Sequence, residues 1–433
     1  MLNKKVALIS NDKIGSSMAG PGIRYFELAK ALSKHFSVTL IVPDGCDLKI
    51  DDVAILKYDS RHASKSISTL MRGYDFVIAQ FLGPVVLKKI LKGKIRFIAD
   101  LYDPQTIEIL EQTKHETENR QDDLYNFIYF SQALQFFVAD YVICSSEKQK
   151  DLYIGTMVGQ GILTPELYRQ SPDLNKYISL VPFGLPSNKP ISKNPTLISE
   201  KFPQIKTTDK IIFWGGGIWN WFDPLSVVKA VENISKKRSD VKMVFLGVSH
   251  PNSKIKKMKM AEETIEYCKK NNLLDKTVFF NFGWAPYGER VDYLLRSSIG
   301  ISTHLDNLET RFSFRTRVLD YLWAELPMIT TTGDSMSELV KSSNLGRVVG
   351  YQDVSEIEKA ILLLLDNEAE TEKIKNNIRT VKKDFEWDTV VRPIVEAIRK
   401  NDFVKRKRSY WQLQKLSFYY YLAGFKKKFF NGK

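Results

Sequence analysis

Short, largely apolar runs of four to seven residues recur along this chain, most of them followed by a stretch with helical periodicity, and this alternation limits the folds open to it. The runs fall at residues 4–10, 38–42, 76–79, 96–99, 141–144 and 178–182, then again at 211–214, 241–246, 277–281, 299–302 and 328–331. A strand that reads as a continuous hydrophobic run, without polar alternation, is covered on both faces, as in parallel sheets flanked by helices. The two series are separated by residues 185–204, where Pro186, Pro190, Pro195 and Pro203 stand among Ser, Asn and Lys. That composition reads as a linker or an irregular crossing. A length of 433 residues has room for two or three domains at about 150 residues each. The fold class expected is therefore α/β, with two domains, and no internal repeat exists beyond the alternation itself.

Both series open with glycine after the first strand. In the first, residues 15–22 read Gly-Ser-Ser-Met-Ala-Gly-Pro-Gly, and a helix is expected over 23–35. Gly20, Pro21 and Gly22 let backbone approach a ligand closely, and Arg24 in the first helical turn is placed to meet a phosphate. The alternative is a tight turn that packs helix on strand, because the loop lacks the G-x-G-x-x-G spacing. In the second series, Gly215, Gly216 and Gly217 follow a buried strand directly. Asp100 and Asp103 stand where the fourth run of the first series ends, at the carboxyl end of a strand, where α/β domains place chemistry. Capping of the helix that Pro104 begins is the competing reading for Asp103.

Residues 304–340 carry the densest signal. The apolar stripe Val318, Leu319 and Leu322 marks a helix that Pro327 stops, and Ser335 with Glu338 three residues on reads as a capping box for the next helix. Arg311, Arg315 and Arg317 crowd the start of the first helix, where the macrodipole is already positive. An anion bound there would account for them, with backbone N–H groups sharing the work. A solvated basic turn is the alternative. Glu309, unlike Glu338, has no local partner that the sequence reveals.

The phrases AGPGIRYFELAKAL, VPFGLP, FWGGGIWNWFDP, FFNFGWAPY and RTRVLDYLWAELP together resemble one bacterial branch of the GT-B glycosyltransferases, in particular the retaining, nucleotide-sugar-using glycosyltransferase family 4. The resemblance spans about residues 4–400 and implies two Rossmann-like domains facing across a cleft, with a C-terminal helix crossing back to the first. It divides the chain into an acceptor-side domain at 1–190, a linker at 191–204, a donor domain at 205–385, a crossover helix at 386–400 and a tail at 401–433. It implies Glu309 on the donor sugar and Asp320, seven before Pro327, on the ribose. The spacing departs from the family at the first acid, which would fall on Phe312, and Asp320 stands where the family has Glu. The family's basic residue after the second glycine loop is missing too, since that loop continues Ile218-Trp219-Asn220-Trp221. Arg315, with Arg317, Arg311, Trp284, Glu338 and the three glycines, is then expected around the donor, and Gly20–Gly22, Arg24 and Asp103 on the acceptor side. Retention at the anomeric carbon, no metal and no cofactor follow from the same resemblance, so fixed positive groups would stabilise the departing diphosphate.

Composition narrows the partners. Cys46, Cys144 and Cys268 have no metal-type spacing and read as buried thiols of a reducing compartment. No N-terminal signal and no apolar run of membrane-spanning length is found. Of the net charge of +14, +9 lies from Lys400 onward and +5 before it. A basic tail on a nearly balanced body argues against nucleic acid. Trp411, Phe418, Leu422, Phe425 and Phe429 recur at helical spacing between Lys405-Arg406-Lys407-Arg408 and Lys426-Lys427-Lys428. This pattern suits an anionic membrane surface, against packing on the body, on a partner or on nucleic acid. The expectation is a cytoplasmic enzyme, peripheral on the inner face of the membrane, that moves a sugar to a glycan or lipid-linked acceptor for surface polysaccharide. Two rivals stay open: a nicotinamide-dependent dehydrogenase, with Asp44 as its ribose acid, and a sugar-nucleotide-binding protein without catalysis.

Overall fold

The computed structural model describes residues 4–248 and 257–429, with side chains to 426. The chain forms two compact units: residues 1–183 with 387–433, and residues 184–386. Each is built on one all-parallel sheet.

In the first unit, β1 (Lys5–Ile9), β2 (Ser37–Pro43), β3 (Val53–Tyr58), β4 (Phe76–Ala79), β5 (Arg96–Asp100), β6 (Tyr141–Cys144) and β7 (Ile178–Leu180) lie in the order 3-2-1-4-5-6-7. In the second, β8 (Lys210–Trp214), β9 (Val241–Phe245), β10 (Val278–Phe280), β11 (Ile299–Ser302), β12 (Met328–Thr331) and β13 (Gly346–Val349) lie in the order 10-9-8-11-12-13. Both orders reverse direction beside the first strand, between β1 and β4 and between β8 and β11. In open parallel sheets, ligands bind at the carboxyl ends of the strands beside this switch point. The central strands are buried beyond their first residue, as their sequences require: Val6, Ala7, Leu8 and Ile9 in β1, and Ile211 to Trp214 in β8.

Residues 191–204, expected as a linker, are instead part of the second unit. They include a helix, Leu197–Lys201, whose Leu197 and Ile198 are buried. Just before it, one carboxylate oxygen of Asp292 accepts from Ser192 Oγ and from the backbone N–H groups of Lys193 and Asn194. The prolines prevent regular structure only locally, and a buried acid gathers the backbone donors that they leave.

The expected crossover helix is two helices, Trp387–Val390 and Arg392–Lys400, both in the first unit. Trp387 packs its ring on Phe183 at 5.4 Å, and Ile394 and Ile398 are buried. The tail continues the same unit. Phe403 lies between Phe76 and Tyr141, and the helix Tyr410–Phe429 runs along the helix Glu118–Val138. Arg406 donates to the carbonyls of Phe136, Phe137 and Ala139, and Arg408 to Ala139 and Asp140. The basic run that was expected beside a membrane thus gives two arginines to the carbonyl end of a helix, where cations are stabilising.

Candidate active site

The second unit gathers its functional groups at the carboxyl ends of β8, β11 and β12. After β8 the chain turns through Gly215–Gly217, with Gly216 at φ +103°, a conformation that a side chain rarely adopts. Beneath the turn, Tyr321 Oη accepts from the Gly215 N–H at 3.0 Å and donates to the Ile301 carbonyl at 2.9 Å, tying β8 to β11. Trp284 lies against Gly217 and Gly247, and Trp219 stacks on Trp221 at 5.2 Å.

Arg317 begins the helix Arg317–Trp323. Its guanidinium lies 4.0 Å from the Phe222 ring centre and 4.6 Å from that of Trp214, and Nη2 donates to the Gly217 carbonyl at 3.0 Å. Nη1 is buried without a hydrogen-bond partner, and no carboxylate of the described residues forms an ion pair with Arg317. Burial pulls its pKa down to about 10. One turn on, Asp320 Oδ1 accepts from Arg290 Nε at 3.2 Å, and Arg290 lies 3.6 Å over the Tyr287 ring. Burial raises the Asp320 carboxyl, with Arg290 opposing.

Arg315 is placed otherwise than the sequence suggested. It precedes the helix and forms a bidentate pair with Glu309, at 2.9 and 2.7 Å, in which both residues are buried. Its Nε faces Asp334 at 3.7 Å. The expectation of an unpartnered Glu309 is therefore corrected: the short helix Leu308–Phe312 holds the acid against an arginine six residues later. Asp334 also meets His304 Nε2 at 2.6 Å. Burial holds His304 below its usual range, with the hydrogen bond to Asp334 opposing. The same Asp334 caps the helix Ser335–Ser342 by accepting from the Ser337 N–H at 2.7 Å. The Ser335–Glu338 capping box is thus corrected as well, since Ser335 is the first helical residue and Asp334 the cap. Glu338 and Arg311 are exposed.

In the first unit the helix begins at Gly20, three residues earlier than expected. A Cβ on Gly22 would meet the Lys13 carbonyl at 2.8 Å, so this glycine serves close packing of helix on loop. Arg24 is fully buried. It pairs with Asp100 through Nε and Nη2, both at 2.8 Å, and donates to the Val181 and Pro182 carbonyls. The expectation of a phosphate-binding Arg24 is corrected, because Asp100 and two carbonyls already engage the guanidinium. Asp103 does not cap the next helix, Gln105–Thr113, whose cap position is Pro104 with no side-chain bond. Burial raises its carboxyl to about 7, with hydrogen bonding from Tyr102 and the charge of Arg24 opposing. Asp44 accepts from Ser60 Oγ.

His304, Asp334, Tyr321 and Arg290 were not singled out from sequence. Only the run Gly333-Asp334-Ser335 signalled one of them, as a cap before a helix. All three cysteines are buried thiols. No group of metal-ligating side chains is found among the described residues, and no described helix is long and apolar enough to cross a membrane.

Residues 198–381 match the family model described as glycosyl transferases group 1. Among solved structures, the chain is similar to sucrose-phosphate synthase from Thermosynechococcus elongatus, with a TM-score of 0.65 at 14% identity over 92% of this chain and 99% of that one. It is similar to Anabaena HepE in complex with UDP and glucose, with a TM-score of 0.66 at 12% identity over 92% and 100%. WaaG, a glycosyltransferase involved in lipopolysaccharide biosynthesis, follows at 0.59 and 12% identity over 90% and 98%. No curated protein sequence matches the chain. The chain therefore has the GT-B fold, and within it residues 198–381 are similar to the glycosyl transferases group 1 family.

Proposed function

We propose that this protein is a retaining glycosyltransferase that moves a sugar from a nucleotide sugar to a glycan or lipid-linked acceptor, as in the synthesis of bacterial surface polysaccharide. The observation that carries the reading is Arg317. A buried guanidinium with an unpartnered nitrogen and no ion pair among the described residues is expensive to keep, and ring contacts and the charge of Asp320 offset only part of that. A donor diphosphate against the Gly216–Gly217 backbone would supply the missing charge. The solved relative from Anabaena, whose structure contains UDP and glucose, supports the same class of donor.

In this reading Arg317 and the glycine backbone stabilise the charge that develops on the leaving diphosphate, as fixed groups in a water-poor site, with no metal required. Asp320, oriented by Arg290, holds the ribose. Arg315 acts from behind, since Glu309 and Asp334 already balance it. On the acceptor side, Asp103 is a carboxyl poised near neutral pH, suited to accept a proton from an attacking hydroxyl. The acceptor would be met at the inner face of the cytoplasmic membrane.

Thermal shift against a panel of nucleotide sugars, followed by a transfer assay with the donor that binds, tests the proposal. A ligand at 100 times its dissociation constant adds about 2.7 kcal/mol. No stabilisation by any nucleotide sugar or nucleoside diphosphate, in a protein shown to be folded, overturns it. Binding without transfer or donor hydrolysis would favour the non-catalytic reading.

A further inference from the structure

The helix Tyr410–Phe429 has two faces with different fates. Leu413, Ser417 and Ala423 are buried, and Tyr420 packs on Phe127 of the helix Glu118–Val138 at 5.2 Å. Trp411, Phe418 and Leu422 recur at spacings of seven and four on the opposite face. Trp411 is 81% exposed and Phe418 63%. Single exposed hydrophobic residues are ordinary, but a contiguous aromatic row on a helix already anchored by its other face is not. Phe425 is on the same row and exposed, whereas Phe429 lies outside the described side chains.

Charge on this face has one sign. Lys415 lies between Trp411 and Phe418 on the same side, and Lys405, Lys407 and Lys426 are exposed as well. The sequence from residue 403 to the end contains no acidic residue. Arg406 and Arg408 are consumed in capping the neighbouring helix, so lysines supply the available charge. Lysine carries its ammonium on a flexible apolar stem and can hold it in headgroups while the stem lies on hydrocarbon. Tyr410, Tyr419 and Tyr421 are exposed beside the row, and Trp and Tyr rings favour the membrane–water interface.

We infer that this outward face of the helix Tyr410–Phe429 docks the protein on an anionic lipid surface, with Trp411, Phe418 and Leu422 entering the headgroup–acyl boundary and the exposed lysines binding headgroups. The helix lies on the membrane; it does not span it. The inference deepens the lipid-linked reading of the acceptor, and it is tested by binding rather than by transfer, so the two fail separately.

The experiment is co-sedimentation of the full chain with phosphatidylcholine vesicles, with and without phosphatidylglycerol, at low and high salt. The double variant W411S/F418S is compared, together with a variant in which Lys405, Lys407, Lys415 and Lys426 become Gln. The full chain is expected to bind the anionic vesicles and to be released by salt. The double variant should lose at least about tenfold in partitioning, and each lysine removed should lose about fivefold. Because the replaced side chains point to solvent, both variants should keep the parent melting temperature. Unchanged binding by the double variant overturns the inference. So does a full chain that ignores anionic vesicles but self-associates in sedimentation, with W411S/F418S abolishing the association, since the face would then be a contact between copies. A chain that transfers sugar without binding vesicles overturns this inference and leaves the transferase reading intact.

Discussion

Arg315 and Arg317 are two residues apart in sequence, yet their surroundings assign them opposite consequences when mutated. Arg315 is bound to Glu309 at both carboxylate oxygens and stands beside Asp334. Arg315→Ala takes the bidentate ion pair from the buried Glu309, which costs about 3–5 kcal/mol, and denaturant unfolding should show it. Arg317 makes one hydrogen bond and two ring contacts. Arg317→Gln should keep most of the stability while weakening nucleoside diphosphate binding by about ten- to 150-fold, the value of one charge-assisted bond. Calorimetric titration checks it, and equal diphosphate affinity would remove Arg317 from the donor site. Asp103 gives a second test at this scale. Its carboxyl is raised to about 7, so ionising it in the folded state is unfavourable, and stability is lost as pH rises from the ordinary carboxylate range through about 7. Asp103→Asn should therefore melt higher than the parent at pH 8 and about equally at pH 4, while slowing transfer. The sequence showed that charge collects near these residues but not which charges cancel, because the pairing depends on how the short helix Leu308–Phe312 ends before Arg315.

Among the elements, the strands that form the middle of each sheet were readable because burial on both faces makes them largely apolar. The two missed strands, β3 and β13, are both at sheet edges. β3 buries only its end residues, Val53 and Tyr58, and includes Lys57, and β13 is four residues long and begins with Gly346; neither shows the continuous burial of the inner strands. The capping of the helix Ser335–Ser342 was misread by one residue for a related reason: Asp334 and Ser335 are both good caps, and only the bond from Ser337 N–H decides between them. Ser335→Ala should consequently change stability by less than about 0.5 kcal/mol. Gly300 in β11 is a stricter case. A Cβ there would stand 2.5 Å from the Tyr321 ring, and that ring carries the hydroxyl that joins Gly215 to Ile301. Gly300→Ala should destabilise by about 1–3 kcal/mol through overpacking and weaken donor binding as well, since the glycine turn loses its support. Restored donor affinity in the pair Gly300→Ala with Tyr321→Leu is not expected, because the hydroxyl is then absent.

At the scale of the molecule, the sequence identified two α/β bodies and a basic aromatic tail, but it could not say which parts of the tail are structural. Residues 403–426 do two jobs at once: Phe403, Val404 and Leu413 are buried in the first unit, while Trp411 and Phe418 face outward. A helix whose two faces are both rich in apolar residues offers no periodicity from which to choose the buried one. Removing residues 403–433 should therefore do more than release the protein from lipid. It strips an apolar face from the helix Glu118–Val138 and takes away the arginines that meet its last carbonyls. Hydrogen exchange read by peptide locates the damage. Amides of that helix and of β5 and β6 should exchange faster in the truncated chain, because local opening follows the loss of buried contacts, whereas amides of β8 and β11 should exchange as in the parent. Added nucleoside diphosphate should slow exchange over residues 213–222 and 304–323 equally in both chains, since Gly216, Gly217 and Arg317 all lie in the unit that the truncation leaves whole. Exchange unaltered in the helix Glu118–Val138 would show that the tail contributes nothing to the first unit's stability. Lost protection at residues 213–222 would show that donor binding depends on the tail.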